Sequence, residues 1–203
     1  MSGKANAIAK SMHGDCPCQS LKSMLLTVAK EPLVTHFTKS TLPGLQVCRA
    51  DYHNLVHADV LVRLLNTYAQ DPAGGGAALS AFAKANLVKE LAARPQAFSV
   101  LAFAGDQAVG LVNCIEGFST FACRPLVNIH DVAVLPSYRG QRVAEEMLAL
   151  VDDIARERGA CKLTLEVLAG NSSAVRLYER VGFAGYQLDP AMGHAQFFQK
   201  WLS

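Results

Sequence analysis

Between residues 126 and 168 the chain changes hydrophobic period twice, and this limits its fold more than any other feature. Leu126 to Leu135 reads as a strand, and the turn Pro136 to Gly140 follows. Val143, Met147, Leu150, Val151 and Ile154 then recur at helical spacing, and Gly159 ends that run. Cys161 to Leu168 is apolar and strand-like again. A strand, a helix over 142–158 and a second strand form a βαβ unit. Its strands must be parallel and its crossover right-handed. A ligand in such a sheet binds beyond the carboxyl ends of the parallel strands, which here is the turn Pro136 to Arg142.

The flanking segments supply the rest of an α/β domain. Leu45 to Arg49 is a short strand. Asn54 to Ala69 is a helix with Leu61, Leu64, Leu65 and Tyr68 on one stripe, and Leu79 to Ala93 is a second helix. Asp71 to Gly76 joins them as a glycine-rich connector. Gln96 to Phe103 and Ala108 to Ile115 form an antiparallel hairpin across Gly105 and Asp106. Phe118 to Pro125 reads as an aromatic loop. After the βαβ unit, Asn171 caps a short helix, and Phe183 to Leu188 and Ala195 to Trp201 are predicted as two last strands. The predicted sheet is mixed and mostly antiparallel, with helices on both faces. Residues 1–44 are an extension with one short helix around 20–30, and 45–203 form the folded domain.

Composition excludes several function classes. With 51% hydrophobic and 18% charged residues over 203 positions, the chain is globular. The net charge of +2 has mixed signs, so there is no basic stripe for nucleic acid and no membrane patch. No apolar run approaches a membrane span, and no secretory signal is read at the N-terminus. Six cysteines, two of them inside strand-like runs, suit a reduced, cytoplasmic chain. His13, Cys16 and Cys18 match no zinc spacing, so no metal is expected, and His53 and His57 read as surface residues.

Two segments carry the chemistry. Arg139-Gly140-Gln141-Arg142-Val143-Ala144 opens the long helix directly after a strand. The first amides of a helix lack internal partners and its dipole is positive there, so this turn can cradle a diphosphate. About thirty residues on stands Asn171-Ser172-Ser173-Ala174-Val175-Arg176-Leu177-Tyr178-Glu179-Arg180-Val181-Gly182-Phe183. Together they resemble the GNAT superfamily of N-acetyltransferases. That family combines Arg/Gln-x-x-Gly-x-Gly/Ala after a strand with Asn-x-x-Ala-x-x-x-Tyr-x-x-x-Gly-Phe. The second pattern matches at every marked position, and the first departs once, at Arg142, where the family usually has glycine.

The resemblance implies a GNAT-like fold and an enzyme that moves acetyl from acetyl-coenzyme A to a primary amine by direct attack. It implies that the backbone of Val132, Ala133 and Val134 pairs with the pantetheine arm. Arg139, Gly140, Gln141, Arg142, Val143 and Ala144 would hold the diphosphate, and Asn171 would touch the pantetheine. Tyr178 would stand near the thioester sulfur as general acid. For the base that deprotonates the amine, Asp131 ranks first, then Glu116, then His130, with a water relay as the alternative. Asp71, Phe118 and Asp131 are the candidate acceptor contacts, and a small cationic amine is the leading acceptor. Arg124 is the one nearby cation that would favour a carboxylate instead. A protein lysine or N-terminal amine as acceptor, and a non-catalytic coenzyme A sensor, are the alternatives. A homodimer is left open.

Overall fold

The structure is a computed structural model that describes residues 41–186, 189, 191 and 196–202. Most of the predicted extension, its helix around 20–30, and the residues His13, Cys16 and Cys18 lie outside the described residues. Within them run strand β1 (Leu45–Arg49), helix α1 (Leu55–Gln70), helix α2 (Ala81–Ala92) and strands β2 (Ala97–Ala104), β3 (Gln107–Ser119) and β4 (Arg124–Val134). Helix α3 (Val143–Glu157), strand β5 (Leu163–Leu165) and helix α4 (Ser172–Arg180) follow. The five strands form one sheet in chain order. β1 to β4 pair antiparallel, and β5 joins β4 in parallel, as a βαβ crossover requires.

Each face of the sheet has its own apolar cluster. On one face Phe98, Val100, Val112, Val127 and Ile129 pack against Val143, Met147, Val151 and Ile154 of α3, with Leu177 and Tyr178 of α4 at the margin. On the other, Leu101, Leu111 and Ala133 meet Val60, Leu61 and Leu64 of α1, with Leu87 and Leu91 of α2 beside them. α3 lies so close to β3 that a Cβ on Gly110 would stand 2.8 Å from Met147 Cε. The mixed, mostly antiparallel sheet with helices on both faces is therefore the architecture of the chain.

Three details differ from the sequence reading. β3 runs four residues further than expected, to Ser119, because Phe118 and Ser119 pair with Pro125 and Arg124. The expected aromatic loop shrinks to residues 120–123, a turn in which Cys123 takes φ 49°. β5 is shorter than 161–168, since its ladder with β4 stops at Ile129–Leu165. No terminal strands appear among the described residues: 183–186 and 196–202 have no regular structure, and 187, 188 and 195 lie outside the described residues. The Phe183 amide donates instead to the Tyr178 carbonyl at 2.9 Å, closing the end of α4.

A bulge in β4 decides which way its side chains face. Asn113 is opposite Asp131 and Cys114 is opposite Ile129, so His130 is an extra residue with no partner. Side chains alternate along a strand, so without that insertion Ile129 and Val132 would face opposite sides. With it both pack on the α3 side, while Asp131 and Ala133 face α1. His130 is left exposed at the bulge.

Candidate functional site

β4 and β5 pair only from Val127 to Ile129, so beyond the bulge β4 continues toward Val134 paired with β3 alone, its other edge open. A cleft of about 860 Å³ opens along that stretch. Val132, Ala133 and Val134 form one wall, the turn from Tyr138 through Glu145 another, and Asn171, Ala174, Leu177 and Tyr178 the third. Tyr68, Asp71 and Ala73 close it from the α1 side. Of the residues predicted to hold cofactor, all but Gln141 line this cleft, and Gln141 sits inside the same turn, donating to the Ser137 carbonyl at 3.0 Å.

The N-terminus of α3 is built differently from the other helix starts. Asn54, Ser80 and Asn171 cap α1, α2 and α4 with side-chain oxygens, whereas Arg142 at the N-cap of α3 makes no such bond. The first-turn amides of α3 are thus not claimed by a side-chain cap, and the turn that carries them lines the cleft, with the positive end of the dipole there. Arg142 holds φ 61° and ψ 18°, and Gly140 two residues earlier has φ 77°. Arginine in the left-handed region carries backbone strain that glycine would not. Its guanidinium lies 3.9 Å from Glu145, whose buried carboxylate accepts from Arg180 Nε at 2.8 Å and Nη2 at 2.6 Å. This tie fixes α4, and with it Tyr178, against the first turn of α3.

Tyr178 is half-buried and meets Phe183 edge-on, ring centroids 5.9 Å apart. Burial pushes its hydroxyl up to about 12, with a smaller push from Tyr68. At neutral pH it is a neutral hydrogen-bond donor. Tyr68 was legible in the sequence only as one member of an apolar helix stripe. It lines the cleft, its hydroxyl reaches the Ala73 carbonyl at 3.5 Å, and burial, then the charges of Asp131 and Asp71, raise its pKa. Tyr68 therefore stands where Tyr178, Asp131 and the connector converge.

The acidic candidates separate. Asp71 accepts from the Ala73 amide at 2.9 Å and from Arg139 Nη2 at 2.9 Å, and these bonds hold its carboxyl below the usual range. Arg139 Nε also donates to the Val134 carbonyl at 3.0 Å, so one guanidinium joins connector, β4 and turn. Asp131 is half-buried, directly before the lining residues, and accepts from Asn113 Nδ2 at 3.0 Å. Glu116 and Phe118 are not brought to the cleft. They lie four and six residues along β3 from Val112, the partner of Val132 at the near end of that wall, or about 13 and 20 Å at a strand's rise. Glu116 is ion-paired with Arg158 at 3.0 Å, and Phe118 is exposed. A strand's pattern does not tell which of its ends reaches the site, and the choice of Glu116 and Phe118 went to the far end. Arg124 is at that end too, donating to the Gly159 carbonyl at 3.1 Å.

Comparison with known proteins identifies the family and the fold. The model of the acetyltransferase (GNAT) family matches residues 62–183. The chain is 38% identical over 88 residues to streptothricin acetyltransferase of Streptomyces lavendulae, covering 42% of this chain and 47% of that protein. It is 31% identical over 91 residues to N-alpha-acetyltransferase 30 of Schizosaccharomyces pombe, covering 44% and 59%. Thialysine N-epsilon-acetyltransferase of Mus musculus is 35% identical over 65 residues, covering 32% and 38%. The matched segment thus spans about half or less of most of these relatives. Among solved structures, a probable acetyltransferase superposes with TM-score 0.65 at 21% identity, covering 78% of this chain and 99% of that one. An aminoglycoside acetyltransferase from an uncultured soil metagenomic sample does so with TM-score 0.64 at 17% identity, covering 78% and 97%. These likenesses establish the fold.

Proposed function

The chain belongs to the acetyltransferase (GNAT) family, and from that premise we propose that it transfers acetyl from acetyl-coenzyme A to a small cationic amine. The observation that carries the reading is the uncapped N-terminus of α3, opening beside the edge of β4 that β5 leaves free, with Tyr178 across the gap. A diphosphate fits uncapped first-turn amides flanked by Arg139 and Arg142. An extended amide-bearing arm fits a strand edge with no partner beyond Ile129. When bound, acetyl-coenzyme A supplies the thioester that the amine attacks.

The chain's own groups then have separable tasks. The walls hold amine and thioester together, which makes the attack effectively unimolecular. Tyr178 donates a hydrogen bond toward the leaving sulfur. Because its pKa is about 12, against roughly 8.5 for an ordinary thiol, stabilising the thiolate precedes any full proton transfer. Asp131 is the carboxylate that receives the ammonium proton, and Tyr68 borders the acceptor.

The cationic class is supported by Asp131, whose charge reaches Tyr68 in the cleft, and by Arg124 being engaged elsewhere. Relatives named for streptothricin and thialysine point the same way. Thiol release from acetyl-coenzyme A with putrescine, spermidine, lysine and a lysine peptide tests it. Free cationic amines should give the highest kcat/KM. Turnover of the peptide alone would transfer the reading to protein acceptors.

A further inference from the structure

We propose that Tyr52, Ser99 and Asn113 form a one-way hydrogen-bonded chain that positions the Asp131 carboxylate for catalysis. The inference rests on the reading of Asp131 as base and adds three residues to it. Ser99, Asn113 and Asp131 are directly opposite one another on β2, β3 and β4, a polar row across the middle of the sheet face that packs against α1. Ser99 is 0% exposed and Asn113 is 6% exposed. Buried polar groups weaken a core unless they are bonded, and here every link is made. Tyr52 Oη lies 2.9 Å from Ser99 Oγ, Ser99 Oγ 2.6 Å from Asn113 Oδ1, and Asn113 Nδ2 3.0 Å from Asp131 Oδ2.

The direction of these bonds follows from chemistry. An ionised carboxylate only accepts, so the Asn113 amide must turn its NH2 toward Asp131. That leaves Oδ1 facing Ser99, and an amide oxygen only accepts, so the Ser99 proton goes to Asn113. Ser99 then has only lone pairs for Tyr52, which must donate. Four side chains are thus locked into one polarity ending on Asp131. An amide in the chain cannot relay protons readily, so the device orients the carboxylate and does not conduct. The His130 bulge belongs to it, since that extra residue turns Asp131 onto this face. The titratable groups that feel the Asp131 charge are Tyr68 from α1 and Cys114 from β3.

The test is steady-state kinetics of the full chain with acetyl-coenzyme A and its best amine. Asn113→Asp keeps shape and the acceptor for Ser99 but replaces the donor. Two carboxylates 3.0 Å apart cannot both ionise, so the pair shares a proton at neutral pH. We expect kcat to fall roughly ten- to a hundredfold at pH 7, to recover as pH rises, and KM for acetyl-coenzyme A to stay within about twofold. Tyr52→Phe and Ser99→Ala, which keep the fold if the first variant does not, should each lower kcat roughly two- to tenfold with the same KM. Asp131→Asn separates the two claims. If it abolishes turnover while the other three variants keep the parent's kcat and pH profile, the positioning chain is refuted and the base stands. If Asp131→Asn is fully active, the base assignment and the chain built on it both fail.

Discussion

Arg142 is the residue at which this chain departs from its family's pattern, and its backbone explains the family preference. At φ 61° the position favours glycine, and an arginine there is strained by roughly 1 kcal/mol. The Arg142→Gly variant should therefore melt at the parent's temperature or above and bind acetyl-coenzyme A at least as well. A loss of affinity beyond tenfold in calorimetry would mean the guanidinium itself holds the ligand. Tyr178 carries the other prediction at this scale. Tyr178→Phe should lower kcat roughly ten- to a thousandfold and leave cofactor affinity nearly intact. Because the hydroxyl stays protonated up to about pH 12, no loss of kcat assignable to Tyr178 should appear between pH 7 and 10. The Asn171 to Phe183 motif made Tyr178 legible from the sequence. Tyr68 was not legible as a site residue, because a tyrosine on an apolar helix stripe looks the same whether it fills a core or faces a cleft.

The elements were read from period and punctuation, and the outcome follows what those signals encode. The four helices were found because caps and apolar stripes are local. The β4 bulge at His130 is set by pairing with β3, so no local signal in the sequence announces it. Glu116 and Phe118 lie away from the cleft for the same reason, since the end of a strand that meets the cleft is a property of the sheet. The last two strands rested on apolar content alone, and the described part of that content is exposed at Phe197, Phe198 and Trp201. The joint between α3 and α4 is testable. Arg180→Ala removes the near partner of buried Glu145 and leaves Arg142 at 3.9 Å. Half of Arg180 faces solvent, so the expected loss is about 1–3 kcal/mol in urea unfolding, with a weaker grip on cofactor as α4 loosens. Unchanged stability would mean that apolar packing alone holds α4.

At the scale of the whole molecule, a buried thiol and a half-buried phenol tie stability to pH. Cys114 and Tyr178 are both pushed up to about 12 by burial, from ordinary values of 9.0 and 10.0. A group whose folded pKa is raised favours folding fully below its unfolded pKa, and that contribution is lost as pH rises through the folded value. Unfolding free energy should therefore fall between about pH 9 and pH 12, and a flat profile across that window would contradict the burial of both groups. Among the described residues no helix is long and apolar enough to cross a membrane. The central claim is that the cleft between β4, α3 and α4 holds acetyl-coenzyme A, and calorimetric titration of the full chain with that ligand tests it most directly. The account predicts saturable one-to-one binding. At a hundredfold excess over Kd this corresponds to about 2.7 kcal/mol and a rise in Tm of roughly 5–10 °C. No heat of binding at millimolar acetyl-coenzyme A, with Tm unmoved, would contradict it.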